Sequence, residues 1–165
     1  MRLMRRSLCL ICVILLCSST AACGGNSTTP ADLMQDFISQ YGTMPAGQLY
    51  TNGCEEWEDG FLSPSLIDSL YTEDNGENAF SLCRDYAIYL ATSQAGGEIA
   101  IFRCSDRASA TRVSEMCYAR IKRARAVTGN SGICEGACVI RRGTYVVLLM
   151  LPDNIHAKEI CTRLL

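Results

Sequence analysis

The sequence holds eleven cysteines and a single histidine, and their positions bound the chemistry it could do. Cys134-Glu135-Gly136-Ala137-Cys138 is a C-x3-C pair. It reads as a redox pair or half a metal site, or as a local disulfide or two structural thiols. Zinc sites need four ligands at recognisable spacing, and no second pair stands at a suitable distance. Cys9-Leu10-Ile11-Cys12 spells C-x-x-C, but within an apolar leader, which removes it as a redox motif. Ser-His-Asp or Cys-His catalysis would have to use His156, expected on the solvent side of a helix's first turn. Two loops gather acids, Glu55-Glu56-Trp57-Glu58-Asp59 and Glu73-Asp74-Asn75-Gly76-Glu77. The second shares Asn75-Gly76 with the middle of a calcium-binding loop. It fails as one, because Tyr71 holds the first ligand position and Leu82 the final glutamate position. Both read as solvated loops, and Trp57 as a contact residue or a cover for the core. Phosphate-loop, dinucleotide, Gly-x-Ser-x-Gly and His-Glu-x-x-His signatures are absent. No catalytic, cofactor or metal site is therefore assigned.

The most specific chemistry concerns Cys23. Arg2, Arg5 and Arg6 precede an apolar run from Leu8 to Cys17, followed by Thr20-Ala21-Ala22-Cys23-Gly24-Gly25. A helix as long as that run rises only about 15 Å, half the hydrocarbon thickness, which argues against a permanent span. The small residues before Cys23 resemble the lipobox of bacterial lipoproteins, with Thr20 where leucine is commoner. That resemblance implies a diacylglyceryl thioether on Cys23 and cleavage before it, two acyl chains being enough for stable anchoring. Cleavage after Ala22, leaving Cys23 a plain thiol, is the alternative.

Residues 1–22 are thus expected as a lipoprotein signal peptide, 23–30 as a lipidated tether and 31–165 as a single domain. Without the first 22 residues the chain keeps 143, with 12 Lys+Arg against 17 Asp+Glu, a net of −5. That length suits one core and is too short for two domains. Seven cysteines remain besides Cys23: Cys54, Cys83, Cys104, Cys117, Cys134, Cys138 and Cys161. Cys54 and Cys83 lie in or near loops and are disulfide candidates in an exported protein. Cys117 and Cys161 fall on apolar helix faces, where a thiol behaves as a small hydrophobe. Cys134 and Cys138 are expected nearer the surface. Charge is split along the chain. Residues 32–98 carry 12 acids and one base, and 99–165 carry 5 acids and 11 bases. Such a split suggests electrostatic docking of the first half on the second, or two faces of opposite sign. Arg120, Lys122, Arg123 and Arg125 complement the dipole at a helix C-terminus, or else contact anionic headgroups or wall polymer. An anchored extracytoplasmic domain of negative net charge is no nucleic-acid partner.

These residues need elements to position them. Gly24 to Pro30 suits a flexible tether. Thr29 and Pro30 open a helix to Tyr41, and Ser63-Pro64 begins a short one. Residues 42–60 read as loop. Strands are expected at about 85–93 and 98–104, then at 137–142 and 144–151 around Arg142-Gly143. Asp106 caps a helix to about Val127, and Asp153 caps a last one. The order hairpin, helix, hairpin, helix predicts an α+β domain. It has a four-stranded antiparallel sheet with helices on one face, preceded by N-terminal helical segments, and the 144–151 strand placed centrally.

Three runs carry a further resemblance. They are Asp85-Tyr86-Ala87-Ile88-Tyr89-Leu90-Ala91, then Glu98-Ile99-Ala100-Ile101-Phe102 leading into Asp106, and Gly143-Thr144-Tyr145-Val146-Val147-Leu148. Together they resemble the domain-of-unknown-function 4358 family of small bacterial lipoproteins, over about Leu66 to Leu165. The resemblance implies no activity and no functional residue. The expected function is a non-catalytic binding or interaction module, lipid-anchored on the outer face of the cell membrane. Its partners would be the membrane through the anchor and a cell-envelope protein or wall polymer. The alternative is a small cell-envelope enzyme or thiol-redox protein.

Overall fold

A computed structural model describes residues 28–73, 76–93, 97–128 and 132–165. The expected signal peptide, Cys23 and the start of the expected tether lie outside the described residues, as do Asp74, Asn75, Gly96 and Gly129-Asn130-Ser131.

The first helix, α1 (Pro30–Tyr41), opens on a capping box. Thr29 Oγ1 accepts from the Asp32 amide at 3.1 Å, and the Asp32 carboxylate accepts from the Thr29 amide at 3.1 Å. This satisfies amides that a helix start leaves orphaned. Ser63 caps α2 (Pro64–Tyr71) by accepting from the Leu66 amide at 3.3 Å, with Pro64 in the first turn. β2 (Cys83–Ala91) and β3 (Glu98–Cys104) form the first hairpin. Asp106 accepts from the Ser109 amide at 2.7 Å at the start of α3 (Arg107–Thr128). The second hairpin is β4 (Cys138–Arg142) and β5 (Tyr145–Met150), turning at Gly143 with φ +63°. Asp153 caps α4 (Asn154–Leu164), accepting from the His156 amide at 2.9 Å.

The fold is α+β with an antiparallel sheet, but the sheet has five strands, in the order β1-β2-β3-β5-β4. The four-strand expectation missed β1 (Gly47–Thr51), inside the 42–60 stretch read as loop. β1 pairs along the outer edge of β2, from Gly47 opposite Ala91 to Thr51 opposite Ala87. It satisfies a row of backbone groups that an open edge would leave without partners. Gly47 is required there, since a Cβ would lie 2.5 Å from the Leu90 carbonyl oxygen. As expected, β5 is interior, between β3 and β4.

A second correction concerns the helices, which cover both faces of the sheet instead of one. Ala87, Ile99, Ile101, Val147 and Leu149 pack under α1 and α4, against Met34, Phe37 and Ile160. Ile88, Ala100, Phe102, Val146, Leu148 and Met150 pack under α2 and α3, against Tyr71, Val113 and Met116. The reason is in the strands themselves. β3 and β5 are apolar at successive positions, so each face buries a row of side chains and each needs a cover.

The charge split between residues 32–98 and 99–165 is bridged by ion pairs. Three ion pairs cross between the halves: Asp85–Arg103, Glu77–Arg112 and Glu98–Arg120, at 2.9, 2.8 and 2.9 Å. The buried Asn154 ties the start of α4 to the turn before β4, donating to the carbonyls of Ile133 at 2.9 Å and Glu135 at 2.7 Å. Its own side-chain oxygen accepts from the Leu151 amide at 2.9 Å.

Candidate functional site

The one charged side chain buried among the described residues is Glu98, 2% exposed. The backbone before it explains its position. Gly97, at φ +82°, passes so close to β5 that a Cβ would lie 1.8 Å from the Met150 carbonyl oxygen. Only glycine fits that approach. The chain thus enters β3 with Glu98 opposite Met150 and directed toward the α2–α3 face. There α3 brings Arg120, whose Nε and Nη2 each lie 2.9 Å from Glu98 Oε2. Tyr71, the last residue of α2, donates its hydroxyl to Oε1 at 2.7 Å. A buried carboxylate is tolerable only when paired and hydrogen-bonded, and both oxygens here are. Burial pushes the Tyr71 phenol well above its ordinary 10.0, and the Glu98 charge adds to that, so the donor stays protonated.

Above this network lies a cleft of about 370 Å³. Leu70, Leu90, Ala124, Ile133 and Met150 line it with apolar surface, and Ser69, Thr92 and Ser93 add hydroxyls. Arg120 and Arg123 share its wall. Arg123 donates to the Leu70 carbonyl at the end of α2, and no carboxylate among the described residues pairs with it. Counting Glu98, Arg120 and Arg123, the lining carries one net positive charge.

The residues singled out from sequence are dispersed. Cys134 and Cys138 do not form a site. Cys134 is 5% exposed, which corrects the expectation that both approach the surface, and it packs in the core on the α3 side. Cys138 is half-buried against the opposite core, under α1 and α4. A residue in the turn before β4 and one on β4 face opposite sides of the sheet, so sequence proximity does not bring the thiols together. Cys117 and Cys161 are buried as expected. Burial raises the Cys117 thiol well above its ordinary value and the Cys161 thiol to about 12. The seven described cysteines are all present as thiols.

His156 is half-buried, its ring 5.6 Å from that of Tyr41, and no nucleophile or acid among the described residues is bonded to that ring. The loop Glu55-Glu56-Trp57-Glu58-Asp59 is exposed, and Trp57 is 83% exposed, so it does not cover the core. Among the described residues, no three His, Cys, Asp or Glu side chains gather to hold a metal ion. The basic cluster on α3 is largely engaged within the domain. Arg120 holds Glu98, Arg123 the Leu70 carbonyl and Arg125 the Cys134 carbonyl.

No family model, curated protein or solved structure matches the chain. The cleft beside Glu98 is the candidate site. Sequence reasoning passed over Glu98 because one acid at a strand's first residue, beside a glycine, looks like a solvated hairpin corner. Its neighbours Tyr71 and Arg120 are 27 and 22 residues away in the chain. The only sequence signal was the excess of acids before residue 98 and of bases after it.

Proposed function

We propose that this chain is a lipid-anchored extracytoplasmic binding module, held at the outer face of the cell membrane through Cys23. Its cleft would take a small ligand with one negative charge and an apolar body. The observation that carries this reading is the charge balance of the cleft. Glu98 neutralises Arg120, while Arg123 brings a guanidinium with no carboxylate partner among the described residues. Arg123 would hold the anionic end through charge-assisted hydrogen bonds, and the apolar wall would take the body. Binding is favoured over catalysis because the one carboxylate in the lining is already bonded at both oxygens. It has no free position from which to move a proton on a substrate.

The anchor fits the same picture. The chain meets the domain at Thr28, whose carbonyl accepts from the Tyr145 hydroxyl at 2.6 Å. Tyr145 pairs with Arg103 and Arg142 at one end of the sheet, where Arg84 also stands, a basic end suited to anionic headgroups. Glu98 begins β3 and Cys104 ends it, so the cleft lies about 20 Å from that end.

Two measurements test the reading. Cys23→Ala should release the protein from the membrane fraction and abolish metabolic lipid labelling. Exported wild type that is soluble and lipid-free would refute the anchor. For the cleft, a panel of aliphatic and aromatic monocarboxylates is titrated against the protein by thermal shift. At least one should raise Tm, and Arg123→Gln should weaken its binding about ten- to a hundredfold, the worth of a charge-assisted contact. Equal affinity in wild type and Arg123→Gln, or stabilisation by organic cations alone, would overturn the ligand class.

A further inference from the structure

Strict alternation along β2 would place Cys83 on the same face as Asp85 and Ala87, under α1 and α4. It is not there. The register shifts between Cys83 and Asp85, so that Arg84 is an extra residue with no partner on β3. A bulge of this kind turns the chain by one position. Cys83 consequently packs against the core on the α2–α3 side and stands directly opposite Cys104. Opposed residues of an antiparallel pair have Cα atoms about 4.5–5.5 Å apart, within the roughly 4.4–6.8 Å that a disulfide spans.

Among the described thiols, this pair alone stands as directly opposed residues of two paired strands. The two thiols face each other closely enough for each to shift the other, raising Cys83 and lowering Cys104. Cys104 borders a shallow cleft of about 470 Å³ that Arg84, Ser105 and Thr144 also line. Cys83, at the start of its strand, is half-buried, which leaves a route for a reagent. Cys138 and Cys161 interact on the other side of the sheet, but burial raises both thiols, Cys161 to about 12.

We propose that Cys83 and Cys104 are a disulfide-forming pair, closed by a disulfide oxidant in the compartment where the protein works. One cysteine thiolate attacks the oxidant R–S–S–R, forming a mixed disulfide and releasing RS⁻. The other thiolate then attacks the cysteine sulfur of that mixed disulfide and displaces the second RS⁻. The two cysteine protons end on two RSH, so the oxidant gains two electrons and two protons while one protein S–S bond forms. The bond would fasten β2 to β3 at the bulge, where the ladder is interrupted, and would hold the entry to the sheet from the 79–82 turn.

The test uses the exported chain, treated with oxidised glutathione, alkylated, and digested without reduction by trypsin together with chymotrypsin. Cleavage after Leu82, Arg84, Phe102 and Arg103 separates Cys83 from both Cys54 and Cys104. The expected product is a Cys83 peptide joined to a Cys104 peptide, cleaved by dithiothreitol. Oxidation should also raise Tm by about 5–10 °C, as closure of a loop of this length predicts. Cys83→Ser and Cys104→Ser should each abolish the rise, and Cys138→Ser should keep it. Separate alkylation of Cys83 and Cys104 after oxidation, or a link from either to a different cysteine, would overturn the proposal. The peptide map is read on wild type, so its outcome stands even where a variant fails to fold.

Discussion

Against α1 and α4 the sheet presents Ala87, Ile99, Ile101, Val147 and Leu149, and no charged side chain is buried between them. An ion pair on this face, Asp85–Arg103, stands at the margin beside Tyr145, with side chains 14% and 26% exposed. Against α2 and α3 the same five strands present Ala100, Phe102, Val146 and Leu148, but also Glu98, bonded to Tyr71 and Arg120, and the Cys83–Cys104 pair. The aromatic rings differ too. Tyr71, Phe80, Tyr86 and Phe102 pack edge-on or tilted on the α2–α3 side, with centroids 5.0–5.9 Å apart. One face is held by volume and shape. The other depends on each polar group finding its partner, and the cleft opens on that second face. The proposed binding site thus lies where the cover is polar, over a sheet whose other face is apolar.

The difference can be broken most severely at Glu98. Glu98→Gln conserves volume but leaves the half-buried Arg120 facing a neutral amide, and should cost about 3 kcal/mol, lowering Tm by about 10 °C. On the opposite face an equally conservative change, Leu149→Met, should cost under about 1.5 kcal/mol. Similar losses at the two positions, measured by urea denaturation, would erase the contrast. A smaller effect sharpens it. Glu98→Leu with Arg120→Met and Tyr71→Phe removes the whole network, and should lie within about 1–2 kcal/mol of wild type because no unpaired group is left. A triple variant less stable than Glu98→Gln would mean that the network contributes net stability.

The smallest expected effect is confined to alkaline solution. The folded Tyr71 phenol titrates well above 10.0, whereas the unfolded one titrates near it. Its contribution is therefore complete below pH 10 and declines as pH rises toward the folded value. Tyr71→Phe should flatten the fall of Tm above pH 10. It should not abolish it, because burial also raises Tyr86. An unchanged alkaline slope would exclude Tyr71 as the group responsible.

Much of the architecture was legible because its signals are local. Thr29, Ser63, Asp106 and Asp153 announce four helix starts by side-chain chemistry that works within three residues. The 98–104 strand has the bounds read from its composition. β1 was missed because Gly47-Gln48-Leu49-Tyr50-Thr51 has no alternation of its own and sits among Gly42, Pro45 and Gly53. Its extended form is imposed by β2, a partner nearly forty residues later. The second helical layer was readable in principle. Ile99-Ala100-Ile101-Phe102 and Val146-Val147-Leu148-Leu149 are apolar at odd and even positions alike, and a single cover would leave one set in water. The site was not legible. Glu98, Tyr71, Arg120 and Arg123 come from three elements, and nothing near any one of them in the chain names the others. The Cys83–Cys104 pairing escaped for a related reason. A bulge is one residue of register, and period-two reasoning assigns Cys83 to the wrong side of the sheet.

The bond from Tyr145 to the Thr28 carbonyl has a consequence for how the whole domain moves. On the proposed anchor, only Gly24 to Ser27 bridge the lipidated residue and the clasp, a leash that reaches about 15–20 Å when fully drawn out. A leash so short relative to the domain permits lateral diffusion and spinning about the membrane normal, but suppresses end-over-end tumbling. The opening would then patrol a thin layer at nearly constant height above the lipid. Neighbouring copies would meet flank to flank, and a ligand would be captured from that layer.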